Sequence, residues 1–172
     1  MGGPAVPDSG TGAPTAPRGH VLLVSPRTFT YHEVICDTLR RMGYRVTWWD
    51  ERASRHTAYK LALRLLPGIT ARWTAGHYLR ALHALAGEQV THMLVIKGEG
   101  LSRQVVLAMR QQFADAAMGY YLWDGLDNVR GARGIADVFD AVASFDPVDA
   151  AAQGWRHRPL FSSFARPGQA AP

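Results

Sequence analysis

Hydrophobic residues follow two alternating patterns along the chain. Short, nearly continuous apolar runs, typical of strands buried on both faces of a sheet, are separated by stretches with apolar residues three and four positions apart, typical of helices. The predicted strands lie at 20–25, 44–49, 92–97, 117–123 and 141–145, with a last extended piece at 156–161. The predicted helices lie at 31–42, 58–66, 73–87, 103–113, 135–139 and 148–153.

Strands that alternate with helices predict a single α/β domain, Rossmann-like and three-layered, with a mainly parallel sheet. Right-handed crossovers put every strand-to-helix loop at one side of such a sheet, which we call its carboxyl edge. We expect the domain to span 19–162. The flanking segments 1–18 and 163–172 are rich in Gly, Pro and Ala, and they are predicted to be disordered tails.

Composition and charge exclude several classes of protein. The chain has 172 residues, a net charge of +5 and a sequence pI of about 9.8. Its arginines are scattered and its only lysines are Lys60 and Lys97, which predicts an arginine-rich surface and no nucleic-acid binding. No apolar run approaches the ~20 residues of a membrane span, and no signal peptide is recognisable at the N-terminus. We expect a cytoplasmic protein, at most associated peripherally with the inner face of the cytoplasmic membrane.

Neither a disulfide nor a metal site is expected. Cys36 is the single cysteine, so no internal disulfide can form, and its position on a helix predicts a structural thiol. The seven histidines show no metal-ligand spacing. There is also no Gly-rich dinucleotide or phosphate loop, no nucleophile elbow, and no acidic pair after the first strand of the kind a phospho-receiver domain needs.

Polar residues after the predicted strands are the candidate functional groups. Lys97 could hold a phosphate or carboxylate as a point charge, or it could form an ion pair with Glu99 or Asp124 that orders the edge. Asp124 could act as a general base or bind sugar hydroxyls, or it could cap the following turn. Trp123 could stack on a sugar or a base, although burial in the core is the commoner fate of a tryptophan.

Two further candidates come from helix starts. His32 begins the first predicted helix, where it could act as a base or bind an anion with help from the helix N-terminus, or could simply be exposed to solvent. Asp146 could bind hydroxyl groups, but the Asp-Pro sequence favours a cap on the helix at 148–153.

The segments at the predicted carboxyl edge, taken together, resemble one family. They read L-V-S-P-R-x-F-x-Y-H-E from Leu23, W-W-D-E-R from Trp48, V-I-K-G-E from Val95, Y-L-W-D from Tyr121 and A-S-F-D-P-V-D-A from Ala143. The similarity covers about 19–161. It is to lipopolysaccharide and capsular-polysaccharide biosynthesis proteins related to the spore-maturation glycosyltransferase-like proteins. Gly125 and Leu126 depart from the serine and isoleucine expected in that family's acidic loop.

The resemblance implies the N-terminal, acceptor-side domain of a GT-B-type glycosyltransferase. Its substrate would be a sugar or lipid-linked sugar acceptor, with a nucleotide sugar as co-substrate and no bound cofactor or metal. The donor-binding domain would come from a separate domain or chain, or this chain would be a non-catalytic remnant. The alternative is a non-enzymatic module that binds a ligand or a partner. The candidate catalytic residues are Asp124 and His32, and the candidate substrate-binding residues are Arg27, Lys97, Glu99, Trp123, Asn128 and Asp146.

Overall fold

Strands and helices alternate throughout the described part of the chain. The structure is a computed structural model that describes residues 16–51, 67–129 and 131–160. The strands are β1 His20–Ser25, β2 Arg45–Asp50, β3 His92–Ile96, β4 Ala117–Leu122, β5 Ala141–Ser144 and β6 Arg156–His157. The helices are α1 Tyr31–Arg41, α2 Pro67–Ala84, α3 Arg103–Gln112, α4 Ala132–Ala136 and α5 Pro147–Gln153. The predicted helix at 58–66, the tail at 163–172 and residues 1–15 of the other tail lie outside the described residues.

The six strands form one sheet in the order β2-β1-β3-β4-β5-β6, and every neighbouring pair is parallel. The predicted α/β class with a Rossmann-like sheet is confirmed. This order is the flavodoxin-like variant of the doubly wound α/β folds. The connection after β1 runs to β2 on one side, whereas the connection after its neighbour β3 runs to β4 on the other side. The carboxyl ends of β1 and β3 therefore flank the switch point, where folds of this type bind ligands.

Burial on both faces explains why β1 is a continuous apolar run. Leu22 and Val24 belong to the larger core cluster, which also contains Tyr78 of α2 and residues of α3 and α4. Leu23 points to the other face and packs with Cys36 of α1. Successive side chains of a strand point to opposite faces of the sheet, so neighbouring residues of β1 pack against helices on opposite sides. Cys36 is buried, as expected of a structural thiol.

Most element boundaries agree with the sequence prediction, but those of α2, α4 and β6 do not. Helix α4 spans Ala132–Ala136 where 135–139 is predicted, and β6 is only Arg156–His157. Pro67 was predicted to separate two helices, with the second one starting at Trp73. Instead α2 begins at Pro67 and ends at Ala84. A proline is tolerated in the first turn of a helix, because the amide hydrogen that it lacks has no partner there.

No helix in the described ranges combines the length and the apolar character that a membrane span requires.

Candidate functional site

The backbone at Lys97 is held in an unusual conformation at the end of β3. Lys97 has a φ of +67° and Gly98 a φ of +70°, so two successive residues occupy the left-handed region. The Lys97 amide donates to the Tyr121 carbonyl oxygen at 2.9 Å, and the Tyr120 hydroxyl donates to the Lys97 carbonyl oxygen at 2.7 Å. Burial and the nearby charge of Glu51 raise the pKa of Tyr120, so this hydroxyl keeps its proton. Left-handed non-glycine residues are strained, and they concentrate at functional sites.

The Lys97 ammonium group lies between two carboxylates. Its Nζ is 3.2 Å from Glu99 Oε2 and 3.2 Å from Asp124 Oδ2, and its side chain is only 16% exposed. Burial alone would lower the pKa of Lys97, but Glu99, Asp124 and Glu51 together raise it above its ordinary value. Both ion pairs that the sequence suggested are therefore present. Phosphate binding by Lys97 stays a prediction.

Asp124 accepts several hydrogen bonds in addition to its contact with Lys97. Its Oδ1 accepts from Asn128 Nδ2 at 2.9 Å and from the Gly125 amide at 3.0 Å, which closes the turn after β4. Burial would raise the pKa of Asp124, but the bonds from Asn128, Lys97 and Gly125 lower it below the ordinary value. The side chain is therefore ionised at neutral pH. It accepts hydrogen bonds well but takes up a proton less readily than an ordinary carboxylate.

Glu51 is a part of the site that the sequence analysis did not select. It directly follows β2 and is completely buried. Its amide donates to the Ser25 carbonyl oxygen at 3.1 Å, and its Oε2 accepts from the Glu99 amide at 3.2 Å. Because β1 lies between β2 and β3, the Glu51 side chain crosses the carboxyl end of β1. An acid after a strand was visible in the sequence, but its burial depends on the strand order.

Gly100 lets the backbone after β3 approach Glu51 closely. A Cβ atom at this position would lie 2.3 Å from the Glu51 carbonyl oxygen. That oxygen also accepts a hydrogen bond from the Tyr78 hydroxyl at 2.6 Å, so α2 holds it in position. The loop after β3, the end of β2 and α2 are thereby fixed to one another at the switch point.

His32 is buried, so the alternative that it is simply exposed to solvent is wrong. It is 5% exposed, and its ring centroid lies 4.5 Å from that of Trp48 on β2. Its Nε2 is 3.7 Å from Glu33 Oε1, and its Nδ1 has no hydrogen-bond partner among the described residues. Trp48 in turn donates from Nε1 to Ser25 Oγ at 2.9 Å. The packing of α1 against β2 covers the imidazole, which the sequence of α1 alone did not reveal.

Three aromatic rings and Arg27 occupy the α1 side of the same edge. Trp123 is half-buried at the end of β4, and its ring centroid lies 6.2 Å from that of Tyr31, edge to face. Tyr31 makes a similar contact of 6.0 Å with Phe29, which is 83% exposed. Arg27 is exposed in the loop between β1 and α1. Because Trp123 directly precedes Asp124, the residues after β4 join this aromatic group to the ion pairs of Lys97.

Asp146 caps α5, as its Asp-Pro sequence favoured. Its Oδ1 accepts from the Val148 amide at 2.7 Å and from the Asp149 amide at 3.1 Å. Asp149 is also engaged, because its Oδ2 accepts from the Leu126 amide at 2.9 Å. A binding role for Asp146 stays a prediction, and it would have to coexist with the cap.

The structure brings four of the predicted residues into direct contact: Lys97, Glu99, Asp124 and Asn128. We call these four the charged cluster. Trp123 adjoins it, whereas His32, Arg27 and Asp146 occupy separate places along the edge. Within the described residues, no group of three or more His, Cys, Asp or Glu side chains is arranged to hold a metal ion. The cluster can donate and accept hydrogen bonds around a polar ligand, and its carboxylates outnumber its ammonium group.

Comparison with known proteins identifies no family. No protein-family model matches the chain, and no curated protein matches it. Among solved structures, the chain is similar to one described as residues 181–211 of the yeast Spc42 trimeric coiled coil fused to another structure. The identity is 15%, the coverage is 80% of this chain and 75% of that one, and the TM-score is 0.44. It is also similar to a response regulator from Thermotoga maritima, with 13% identity, 72% and 82% coverage and a TM-score of 0.38. The fold assignment rests on the strand order and register described above.

Proposed function

We propose that this chain is the acceptor-side domain of a glycosyltransferase-like protein of surface-polysaccharide synthesis. The observation that carries the proposal is the charge balance within the charged cluster. One ammonium group, that of Lys97, faces the carboxylates of Glu99 and Asp124 at 3.2 Å each. The buried Glu51 lies directly behind them. An excess of carboxylate favours a neutral ligand rich in hydroxyl groups and repels a pyrophosphate, so it supports the acceptor half over the donor half.

The hydrogen-bonding capacity of the cluster also fits a sugar acceptor. Asp124 Oδ2 contacts only Lys97 in the bonds described above, and Glu99 is half-exposed with one oxygen on Lys97. Both carboxylates can therefore accept from sugar hydroxyls, while Asn128 and Lys97 supply donors. Charge-assisted bonds of this kind are about twice as strong as neutral ones, so two of them can orient a pyranose ring.

Transfer requires an acceptor oxygen to bond to the anomeric carbon while the bond from that carbon to the phosphate breaks. The hydroxyl proton must pass to a base. Asp124 is the candidate base within the charged cluster, and its lowered pKa makes it better suited to orienting the hydroxyl than to removing the proton early. His32 is the second candidate base. It would have to reach the acceptor from beneath Trp48.

The proposal is tested by titrating the purified chain with lipid-linked sugar acceptors and, separately, with nucleotide sugars. Asp124→Asn should weaken acceptor binding by about tenfold or more, because a charged acceptor of a hydroxyl bond is lost. Lys97→Ala should weaken it as well, because the two carboxylates lose the group that positions them. Asp137→Asn is the matched control, since this carboxylate pairs with Arg103 at an exposed site away from the cluster. Unchanged binding in both site variants, or tight binding of a nucleotide sugar by this domain alone, would contradict the proposal.

A non-enzymatic binding module is the second candidate. It is favoured by the state of the two candidate bases, because Asp124 has a lowered pKa and His32 is covered. The two functions differ in one measurement. Supplying a donor-binding chain and a radiolabelled nucleotide sugar should give labelled acceptor if the domain belongs to a transferase. Acceptor binding without any transfer would favour the binding module.

A further inference from the structure

Phe29, Tyr31 and Trp123 form a row of rings along the carboxyl edge, which we call the aromatic ledge. Successive ring centroids are 6.0 and 6.2 Å apart, and the rings meet edge to face at 73° and 68°. Tyr31 opens helix α1 and Trp123 follows β4, so two separate elements hold the row in place. Phe29 at the outer end is free of the core, whereas Trp123 at the inner end is half-buried.

Phe29 has two properties that are unfavourable for the free protein. Its side chain is 83% exposed, so a large apolar group stays in water. Its φ is +47°, a left-handed value that is an outlier for a bulky side chain and that glycine would adopt without strain. Neither property stabilises the fold. A residue of this kind at the edge where α/β domains bind ligands is better explained by binding than by packing.

The neighbours of the ledge indicate what it binds. Trp123 is followed directly by Asp124, which pairs with Lys97, so consecutive residues after β4 join the ledge to the charged cluster. Aromatic faces are electron-rich and attract the weakly positive C–H groups of a pyranose face, while carboxylates accept the hydroxyl hydrogens on the ring's rim. A nucleotide would fit this surface less well, because its phosphates would meet the carboxylate excess.

We propose that the aromatic ledge is a stacking subsite for a pyranose ring of the acceptor, next to the charged cluster. The inference rests on the proposed acceptor function and adds to it a stacking surface with two further residues, Phe29 and Tyr31. The ring packs on the ledge through its apolar face, and its hydroxyl groups turn toward Asp124 and Glu99.

The test uses methyl glycosides of glucose, galactose and N-acetylglucosamine as probes, with saturation-transfer difference NMR as the readout. We expect the C–H protons of one sugar face to receive most of the saturation. Phe29→Gly should weaken binding by about tenfold. It should also leave the urea unfolding midpoint unchanged or higher, because it relieves the left-handed strain. Phe29→Trp should retain binding, and Tyr44→Ala, which removes a ring near the opposite edge, should not change it.

Three results would overturn the inference. If Asp124→Asn abolishes glycoside binding while Phe29→Gly leaves it intact, the ledge is no subsite but the acceptor function survives. If none of the glycosides binds the unaltered chain, the ledge fails, and the titration with lipid-linked acceptors decides separately whether the acceptor function fails. If Phe29→Gly instead abolishes binding to vesicles containing anionic phospholipid, with no effect on glycosides, the ledge is a membrane contact.

Discussion

Replacing Lys97 with methionine removes the only ammonium group of the charged cluster while keeping a side chain of similar length. The backbone strain at φ +67° is the same in both proteins, and the buried part of the stem is still filled. The variant therefore isolates the contribution of the Lys97 charge to stability. Glu99 and Asp124, each 3.2 Å from Nζ, then lose their common partner and repel each other and Glu51.

The expected loss of stability follows from the exposure of the three side chains. Two unit charges at this distance attract each other by about 5 kcal/mol at an effective dielectric constant of about 20, and desolvation offsets most of this. Lys97 is 16% exposed, but Asp124 is 34% and Glu99 is 46% exposed, so each pair is screened by solvent. We assign about 1 kcal/mol to each pair, the upper end of the range for exposed pairs. Lys97→Met should therefore lower the free energy of unfolding by about 2 kcal/mol at pH 7.

The difference in the free energy of unfolding between the parent and the Lys97→Met protein should depend on pH. The pKa of Asp124 is lowered by folding, so its contribution is present above its ordinary value of 3.8 and is lost as the pH falls through the folded value. The pKa of Lys97 is raised by folding, so its contribution is present below 10.5 and is lost as the pH rises through the folded value. The stability difference should be constant between about pH 5 and pH 10 and should shrink on either side.

Urea unfolding followed by circular dichroism measures this difference, with Arg40→Met as the control. Arg40 forms an exposed pair with Asp37 on α1, so its loss should change the free energy of unfolding by less than about 0.5 kcal/mol. Lys97→Gly adds an internal check, because glycine relieves the left-handed strain and should recover about 1 kcal/mol relative to methionine. A Lys97→Met protein within 0.5 kcal/mol of the parent, on the order of the measurement error, would refute the electrostatic argument for the cluster.

Two further substitutions test the packing of the edge and the role of a cap. Gly100→Ala should lower the free energy of unfolding by about 1–3 kcal/mol, because the new Cβ would lie 2.3 Å from the Glu51 carbonyl oxygen. Gly134→Ala on α4 is the control: its Cβ would meet nothing within 4 Å, so the variant should not be destabilised. Equal thermal midpoints for the two variants would contradict this. Asp146→Ala should lower the free energy of unfolding by about 1 kcal/mol, because the Val148 and Asp149 amides lose their acceptor. Asp146→Ser should keep most of the stability, because serine also caps helices. If Asp146 also binds the acceptor, the serine variant will fold normally and still lose acceptor affinity in a titration.

The sequence predicted the secondary structure better than it predicted the contents of the site. β1 was predicted with its observed bounds because burial on both faces leaves a continuous apolar run, His20–Ser25, that needs no tertiary information. Lys97 and Asp124 could be brought together because all parallel strands end at one edge. The burial of Glu51 and His32 could not be predicted, since it depends on which strand lies beside β1 and on how α1 packs against β2.

Strand order also determines which ligand the edge can accept. Placing β1 between β2 and β3 brings Glu51 from one strand and Lys97 from the other to the same end of β1. Gly100 permits this approach, and Glu51 fixes the loop by accepting the Glu99 amide. The loop in turn holds the Lys97 ammonium between two carboxylates, so a phosphate that approaches it also meets two like charges. A ligand that brings hydroxyl groups can add to these contacts without breaking any, and this is the physical ground for the proposed acceptor function.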